Sequence, residues 1–255
     1  MKNQLIEFSY RSLQKFSQIL IVGDIHGDLA SLKAILQLFD EKNDLLIFLG
    51  DYADRGPKGF EVINSVFELL KKFPNSVIAL KGNHEDYEST GEPRFSPFTL
   101  KSEVLIKYGS WEKYFKDVFR KFEKRLYLAA ILADKYLLVH GGVSSAIVSR
   151  DSLANPPADI QMGILWSDPT STSCQKPNPR GAGVLFPITI SEHVAERLNI
   201  QRIIRSHQPQ LAFDKPHYSH KGRVVTVSST IVYGGRAQVL KINPKRIGKI
   251  NYFVF

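Results

Sequence analysis

The sequence predicts an α/β protein whose strands end in charged loops. Three observations carry this. Short apolar runs alternate with segments of helical periodicity up to Leu80. Each of those runs stops at a glycine followed by carboxylates or imidazoles, and the tail turns to strand-like segments. The chain has 255 residues, with no repeat, low-complexity tract or clear linker, so it reads as one domain spanning 1–255.

Residues 19–22 read as a buried strand ending at Gly23, after which Leu29, Leu32, Ile35, Leu36 and Phe39 recur at helical spacing. Residues 45–49 form a second strand. Pro57 suits the first turn of a helix that continues through Phe60, Ile63, Phe67 and Leu70. A third strand follows at 76–80. Residues 101–125 read as helical, with aromatics at Tyr108, Trp111, Tyr114, Phe115, Phe119 and Phe122, and with Lys113, Lys116, Lys121 and Lys124 as a solvated face. Residues 126–131 and 136–139 read as a strand pair around Ala133-Asp134-Lys135. The Pro- and Asn-rich stretches 155–158 and 176–180 are loops. A short helix near 192–198 precedes strands at 202–204, 224–227 and 237–242.

Composition narrows the class. Hydrophobic residues at 43% and charged ones at 23% exclude a disordered or collagen-like chain. A formal charge of +9 favours an anionic partner, without separating nucleic acid, acidic membrane and phosphate substrates. The single cysteine, Cys174, excludes an internal disulfide framework and fits a reducing compartment. No apolar run approaches the ~18 residues of a membrane span, and the first residues lack the apolar centre and cleavage site of a signal peptide. The expected location is cytoplasmic.

The first three strands end in GDIHGD (23–28), GDYADRG (50–56) and GNHE (82–85). Open α/β sheets bind ligands beyond the carboxyl ends of their strands, so these loops are expected to converge on one crevice. They bring Asp24, His26, Asp51, Asp54, Arg55, Asn83 and His84 there. Two later strands run into HGG (140–142) and RSHQ (205–208). Carboxylates and imidazoles crowded at one edge repel one another or suffer desolvation unless a cation sits among them. Oxygen and nitrogen donors without thiolate suit Mn, Fe or Zn better than a structural zinc site.

These motifs, with WSDP (166–169) and RGAG (180–183), stand in the order found in the PPP-family serine/threonine protein phosphatases, which the chain resembles from about Ile19 to Leu240. The resemblance implies the calcineurin-like metallophosphoesterase sandwich: two mixed β-sheets flanked by helices, with the tail contributing to the second sheet. It implies two divalent metal ions, manganese first, with iron or zinc as alternatives. Asp24, His26 and Asp51 would hold one ion. Asp51 would bridge to a second ion on Asn83, His140 and His207. Arg55 and Arg180, with Asn83, would bind the substrate phosphate. His84 would be the acid beside the leaving group, oriented by Asp54 and kept protonated by it. The implied reaction is in-line attack by a metal-bridging hydroxide on phosphorylated protein substrates. No nucleic-acid or membrane partner is implied, and the sequence names no regulatory subunit.

The tail departs from the eukaryotic pattern. It reads SSTIVYGGRAQVL (228–240), lacks the usual cysteine, aligns its aromatic with Tyr233 only after a one-residue slip, and looks more like bacterial and archaeal relatives. An alternative is therefore a symmetrical diadenosine tetraphosphate hydrolase or another phosphoesterase of the superfamily, although those more typically carry GNHD and HAG. A basic RNA-binding scaffold is a third reading, opposed by the intact set of ligand-type residues.

Overall fold

A computed structural model describes residues 3–255; Met1 and Lys2, the start of the stretch read for a signal peptide, lie outside the described residues. Fourteen strands are assigned: β1 (Leu5–Phe8), β2 (Gln18–Val22), β3 (Asp44–Phe48), β4 (Val77–Ala79), β5 (Ala129–Leu132), β6 (Tyr136–Val139), β7 (Asp168–Pro169), β8 (Lys176–Pro177), β9 (Val184–Phe186), β10 (Arg202–Arg205), β11 (His217–Ser219), β12 (Val224–Thr226), β13 (Gln238–Ile242) and β14 (Ile250–Val254). The helices are α1 (Tyr10–Leu13), α2 (Leu29–Leu36), α3 (Gly59–Lys72), α4 (Leu100–Tyr108), α5 (Trp111–Tyr114), α6 (Arg120–Glu123), α7 (Arg150–Ala154), α8 (Ala158–Trp166) and α9 (Ile188–Leu198).

Eleven of the strands form a five-stranded sheet in the order β14-β13-β2-β3-β4 and a six-stranded sheet in the order β1-β5-β6-β10-β12-β11, and the other three form a small sheet in the order β7-β9-β8. The two larger sheets are mixed: β2, β3 and β4 run parallel with β13 antiparallel to β2, and β5 runs parallel to β1 and antiparallel to β6. Alternation along the strands shows how the sheets face each other. Ile19 and Ile21, Leu45 and Ile47, and Leu240 and Ile242 share one apolar cluster with Ala130, Leu132, Leu138, Ile204 and Val225 of the other sheet. The intervening residues, among them Leu20, Val22, Leu46 and Phe48, pack outward against Leu32, Ile35, Val62, Ile63 and Val66 of α2 and α3. Burial on both faces is why these strands read as unbroken apolar runs rather than as alternating ones.

The helices form where the pattern and the caps agree. α2 starts at Asp28, whose carboxylate accepts from the Ser31 N–H. α3 buries Val62, Ile63, Val66 and Leu70 along one stripe and stops at Phe73, ahead of Pro74. The helical region expected over 101–125 breaks at Gly109 (φ 86°), the left-handed cap of α4, and a π-helical turn, Phe115–Phe119, joins α5 to α6. Lys113, Lys116, Lys121 and Lys124 are exposed, as the charge pattern predicted.

The tail contributes to the second sheet as expected, and two further arrangements add to the sequence reading. The tail does not serve the second sheet alone: β10, β11 and β12 belong to it, but β13 and β14 join the first sheet beside β2. Apolar pattern identifies a strand and not its neighbour, so the sequence could not settle this. The amino-terminal β1 was not anticipated. It pairs with β5 at the edge of the second sheet, with only Leu5 buried.

Candidate metal centre

The site grows from the carboxyl ends of five strands. Asp24 and His26 follow β2, Asp51, Asp54 and Arg55 follow β3, Asn83 and His84 follow β4, His140 follows β6 and His207 follows β10. Delivering these side chains requires unusual backbone. His26, Asp51, Asp54, Arg55 and His207 all have φ between 47° and 69°. For non-glycine residues that region costs of order 1–3 kcal/mol each and persists only where the surroundings over-determine it. Buried Glu85 supplies much of that restraint, accepting the backbone N–H groups of Asp51, Tyr52 and Gly82 at 2.9, 3.0 and 2.9 Å. Loop packing supplies the rest. A Cβ on Gly82 would lie 2.2 Å from Asp51 Oδ1 and one on Gly50 would lie 2.4 Å from Gly82 N, so the β3 and β4 loops touch only because both positions are glycine.

Backbone carbonyls fix two histidine tautomers. His26 Nδ1 donates to Ala53 O at 3.0 Å and His140 Nδ1 donates to Leu49 O at 2.9 Å. Each ring therefore carries its lone pair on Nε2. Those lone pairs face the two oxygens of one carboxylate, His26 Nε2 to Asp51 Oδ2 at 3.4 Å and His140 Nε2 to Asp51 Oδ1 at 3.4 Å. Asn83 Oδ1 lies 3.0 Å from His140 Nε2 and 2.8 Å from His207 Nδ1, while the two rings approach to 3.1 Å. Asp24 spends Oδ1 on the His207 N–H at 3.0 Å and leaves Oδ2 buried without a partner. Acceptors aimed at acceptors repel, and a cation among them removes the repulsion.

The donor atoms of His26, Asp51 and His84 lie within 4.8 Å of one another, as do those of Asp51, His140 and His207. Asp51 is thus common to two clusters. The electrostatics agree with cation binding. Burial pushes Asp24 up to about 6 despite hydrogen bonds from Ser206 and His207, and burial together with Asp24 and Glu85 holds Asp51 well above the usual carboxylate range. Burial also pushes Glu85 to about 7 and drives His26, His140 and His207 well below the usual imidazole range. Neutral imidazoles and under-charged carboxylates form a donor set lacking positive charge, which a divalent ion supplies. The residues fit two such ions.

The remaining candidates also assemble. His84 Nδ1 donates to Asp54 Oδ2 at 2.9 Å. Asp54 Oδ1 takes the N–H groups of Thr99 and Leu100 at 2.7 and 2.8 Å, fastening it to the start of α4. An aromatic chain running to the π-helical turn backs this pair, because Phe95 lies 4.5 Å from the His84 ring and Tyr87 joins Phe95 to Phe119. Arg55 and Arg180 are exposed at the site. Arg55 is held by Ser96 O at 3.0 Å, and Arg180 by Asp168 Oδ2 at 3.4 Å with its guanidinium 5.9 Å from the Trp166 ring. One expectation fails in part. Burial lowers the proton affinity of His84, and the upward pull of Asp54 does not overcome burial together with Arg55 and Arg180.

Three residues received no role from the sequence. Arg205 is fully buried against Asp168 Oδ1 at 2.8 Å, so the RSHQ arginine anchors the strand that delivers His207. Asp28 accepts the N–H of Ile231 at 3.0 Å, tying the tail to the β2 loop. Tyr233 reaches the centre despite the altered tail, its ring 5.4 Å from that of His26 and its hydroxyl pushed by burial up to about 12. The family resemblance reached Tyr233 only through a one-residue slip, which left its role open.

The pattern of the calcineurin-like phosphoesterases matches residues 17–211, and the chain belongs to that family. Over 249 aligned residues it is 34% identical to the serine/threonine-protein phosphatase SIT4 of Candida albicans, spanning 89% of this chain and 75% of that protein. It stands among the PPP-type serine/threonine protein phosphatases, enzymes of the phosphoprotein phosphatase class. A Saccharomyces cerevisiae protein serine/threonine phosphatase, described as similar to human phosphatase PP5, superposes with a TM-score of 0.83 at 24% identity, covering 100% of this chain and 84% of that one. A putative diadenosine tetraphosphatase gives 0.57 at 16% identity, covering 100% and 98%. At those identities the two solved structures support the fold alone.

Proposed function

We propose that residues 1–255 act as one catalytic domain that hydrolyses phosphoserine and phosphothreonine in protein substrates at a two-metal centre. The observation that carries this is the Asp51 carboxylate, faced on each oxygen by the lone pair of a different histidine. Asp24, His26 and Asp51 would hold one ion and Asp51, Asn83, His140 and His207 the other. Bound divalent ions, manganese first and iron or zinc as alternatives, supply charge for the phosphoryl oxygens and bring the pKa of water near neutrality. The relative SIT4 supports a phosphoprotein rather than a dinucleotide as substrate.

The protein groups supply the rest. Arg55 and Arg180 clamp the phosphate oxygens as forks, a bidentate geometry that lysine would not reproduce. Asp54 fixes the His84 tautomer, so that Nε2 is the nitrogen turned to the leaving oxygen. The lowered proton affinity of His84 is consistent with this role. Burial is its main cause and Arg55 and Arg180 add a smaller share, which a phosphate dianion seated between them offsets. A protonated His84 would give its Nε2 proton to the departing alkoxide.

Turnover of a phosphothreonine peptide, an aryl phosphate and diadenosine tetraphosphate, each under Mn²⁺, Fe²⁺, Zn²⁺ and chelator, tests this reading. Phosphate release from the peptide in Mn²⁺, abolished by chelation, is expected. ADP release from the dinucleotide at a far higher kcat/KM than peptide turnover would overturn the substrate assignment. Equal, negligible rates with and without metal would overturn the mechanism.

A further inference from the structure

Near the metal centre lies a cavity of about 440 Å³ walled by Leu29, Ala30, Pro57, Ile231 and Val232, with Gly27, Asp28, Lys33 and Lys58 completing it. Its walls are mostly apolar, and Ile231 is 51% exposed, so apolar surface faces solvent near the catalytic residues. The volume suits one bulky side chain with part of its backbone.

The walls are tied together before any ligand arrives. The Asp28 carboxylate caps α2 through the Ser31 N–H at 3.0 Å and with its other oxygen accepts the Ile231 N–H at 3.0 Å. The third wall is joined by Gly56 N–H to His26 O at 3.0 Å and by Lys58 N–H to Gly27 O at 3.1 Å. The cavity also adjoins the catalytic residues along three segments of the chain. Pro57 is two residues from Arg55, and Val232 precedes Tyr233, whose ring lies 5.4 Å from that of His26. A peptide with its phosphate between the arginines is therefore within a few residues of the cavity, at about 3.3 Å per extended residue. Lys58 meets Glu61 only at 4.0 Å and Lys33 is exposed, leaving positive charge at the opening.

We propose that this cavity is a specificity pocket that takes an aliphatic side chain of the phosphoprotein substrate, close in sequence to the phosphorylated residue and next to an acidic residue that meets Lys33 or Lys58. The proposal rests on the phosphoprotein reading above. Removing a leucine side chain from water against such walls favours binding by about tenfold or more. The benefit falls on KM, because the pocket touches no reacting atom.

The test walks one Leu-Asp pair through phosphothreonine peptides of constant length in an alanine and serine background, with an aryl phosphate as control. At one register kcat/KM is expected to rise about tenfold over the all-alanine peptide, through KM. In Ile231→Asp, whose exposed position tolerates the change, the ratio between the same two peptides is expected to fall to about one. A flat walk with the peptides turned over, or an unchanged ratio in Ile231→Asp, would overturn the pocket while leaving the phosphoprotein reading intact. Aryl phosphate turnover with every peptide refractory would overturn both.

Discussion

His84 shows how much one side chain depends on its attachments. Its ring is fixed by Asp54, backed by Phe95, and sits 5.0 Å from the His26 ring. His84→Asn keeps a short polar group and leaves the donors of both clusters other than His84 in place. Its kcat is expected to fall about 10²–10⁴-fold on alkyl phosphates, and much less on aryl phosphates with good leaving groups. An equal loss on both, in steady-state assays at saturating Mn²⁺, would exclude proton donation as its task. Gly82→Ala fails for a different reason. A methyl placed 2.2 Å from Asp51 Oδ1 must displace the shared carboxylate, so Mn²⁺ binding measured by calorimetry is expected to weaken at least tenfold, with turnover falling alongside. The residues that converge on the site were legible in sequence because each sits within a few residues of a strand end, beside glycine or polar residues. Asp28 and Tyr233 were not, because their roles come from contacts between the β2 loop and a tail some two hundred positions away.

Among the elements, α4 links catalysis to stability. Its first turn fastens Asp54, and its Glu103 reaches across to the bare start of α3, accepting from Gly59 and Phe60 N–H at 3.2 and 3.1 Å. Lys58 at the α3 N-cap makes no capping bond of its own, so Glu103 acts as the cap in its place. Glu103→Ala is expected to cost about 1 kcal/mol in urea unfolding and to lower kcat several-fold by loosening Asp54. A stability loss with unchanged kcat would show that α4 does not transmit to the site. Periodicity could place a helix over 101–125 and could not reveal such a bond, since a helix cap drawn from another helix leaves no local mark. Edge strands were missed for a related reason. β1 and β14 are half-exposed and short, and without a continuous apolar run they resemble loops.

At the scale of the whole molecule, charge governs both metal and substrate. Burial drives the candidate histidine ligands well below the usual imidazole range, so protons would compete with metal mainly at the carboxylates. Asp24 is raised to about 6 and Asp51 lies higher than usual, and each must lose its proton to bind an ion. Mn²⁺ affinity is therefore expected to fall as pH drops through about 6, approaching tenfold per pH unit for each proton displaced. Calorimetry in buffers of different ionisation enthalpy reads that proton release directly, and an affinity flat between pH 5 and 8 would contradict it. With a net charge of +9, kcat/KM for anionic peptides is also expected to fall as salt rises from low to moderate concentration. The sequence announced this charge, and its family resemblance implied the two facing sheets. It did not disclose that the tail crosses back to the first sheet, because strand pairing is decided by neighbours far apart along the chain.

That crossing has a consequence for how the enzyme is made. β13 lies directly against β2, while Ser229 Oγ accepts the Gly23 N–H at 2.8 Å and its own N–H bonds Asp24 O at 3.0 Å. The ribosome synthesises Asp24 early, but its support emerges only with residues 228–242. A chain stalled before them would carry every candidate metal ligand without this support for Asp24, so metal binding is expected only once residues 228–242 are in place.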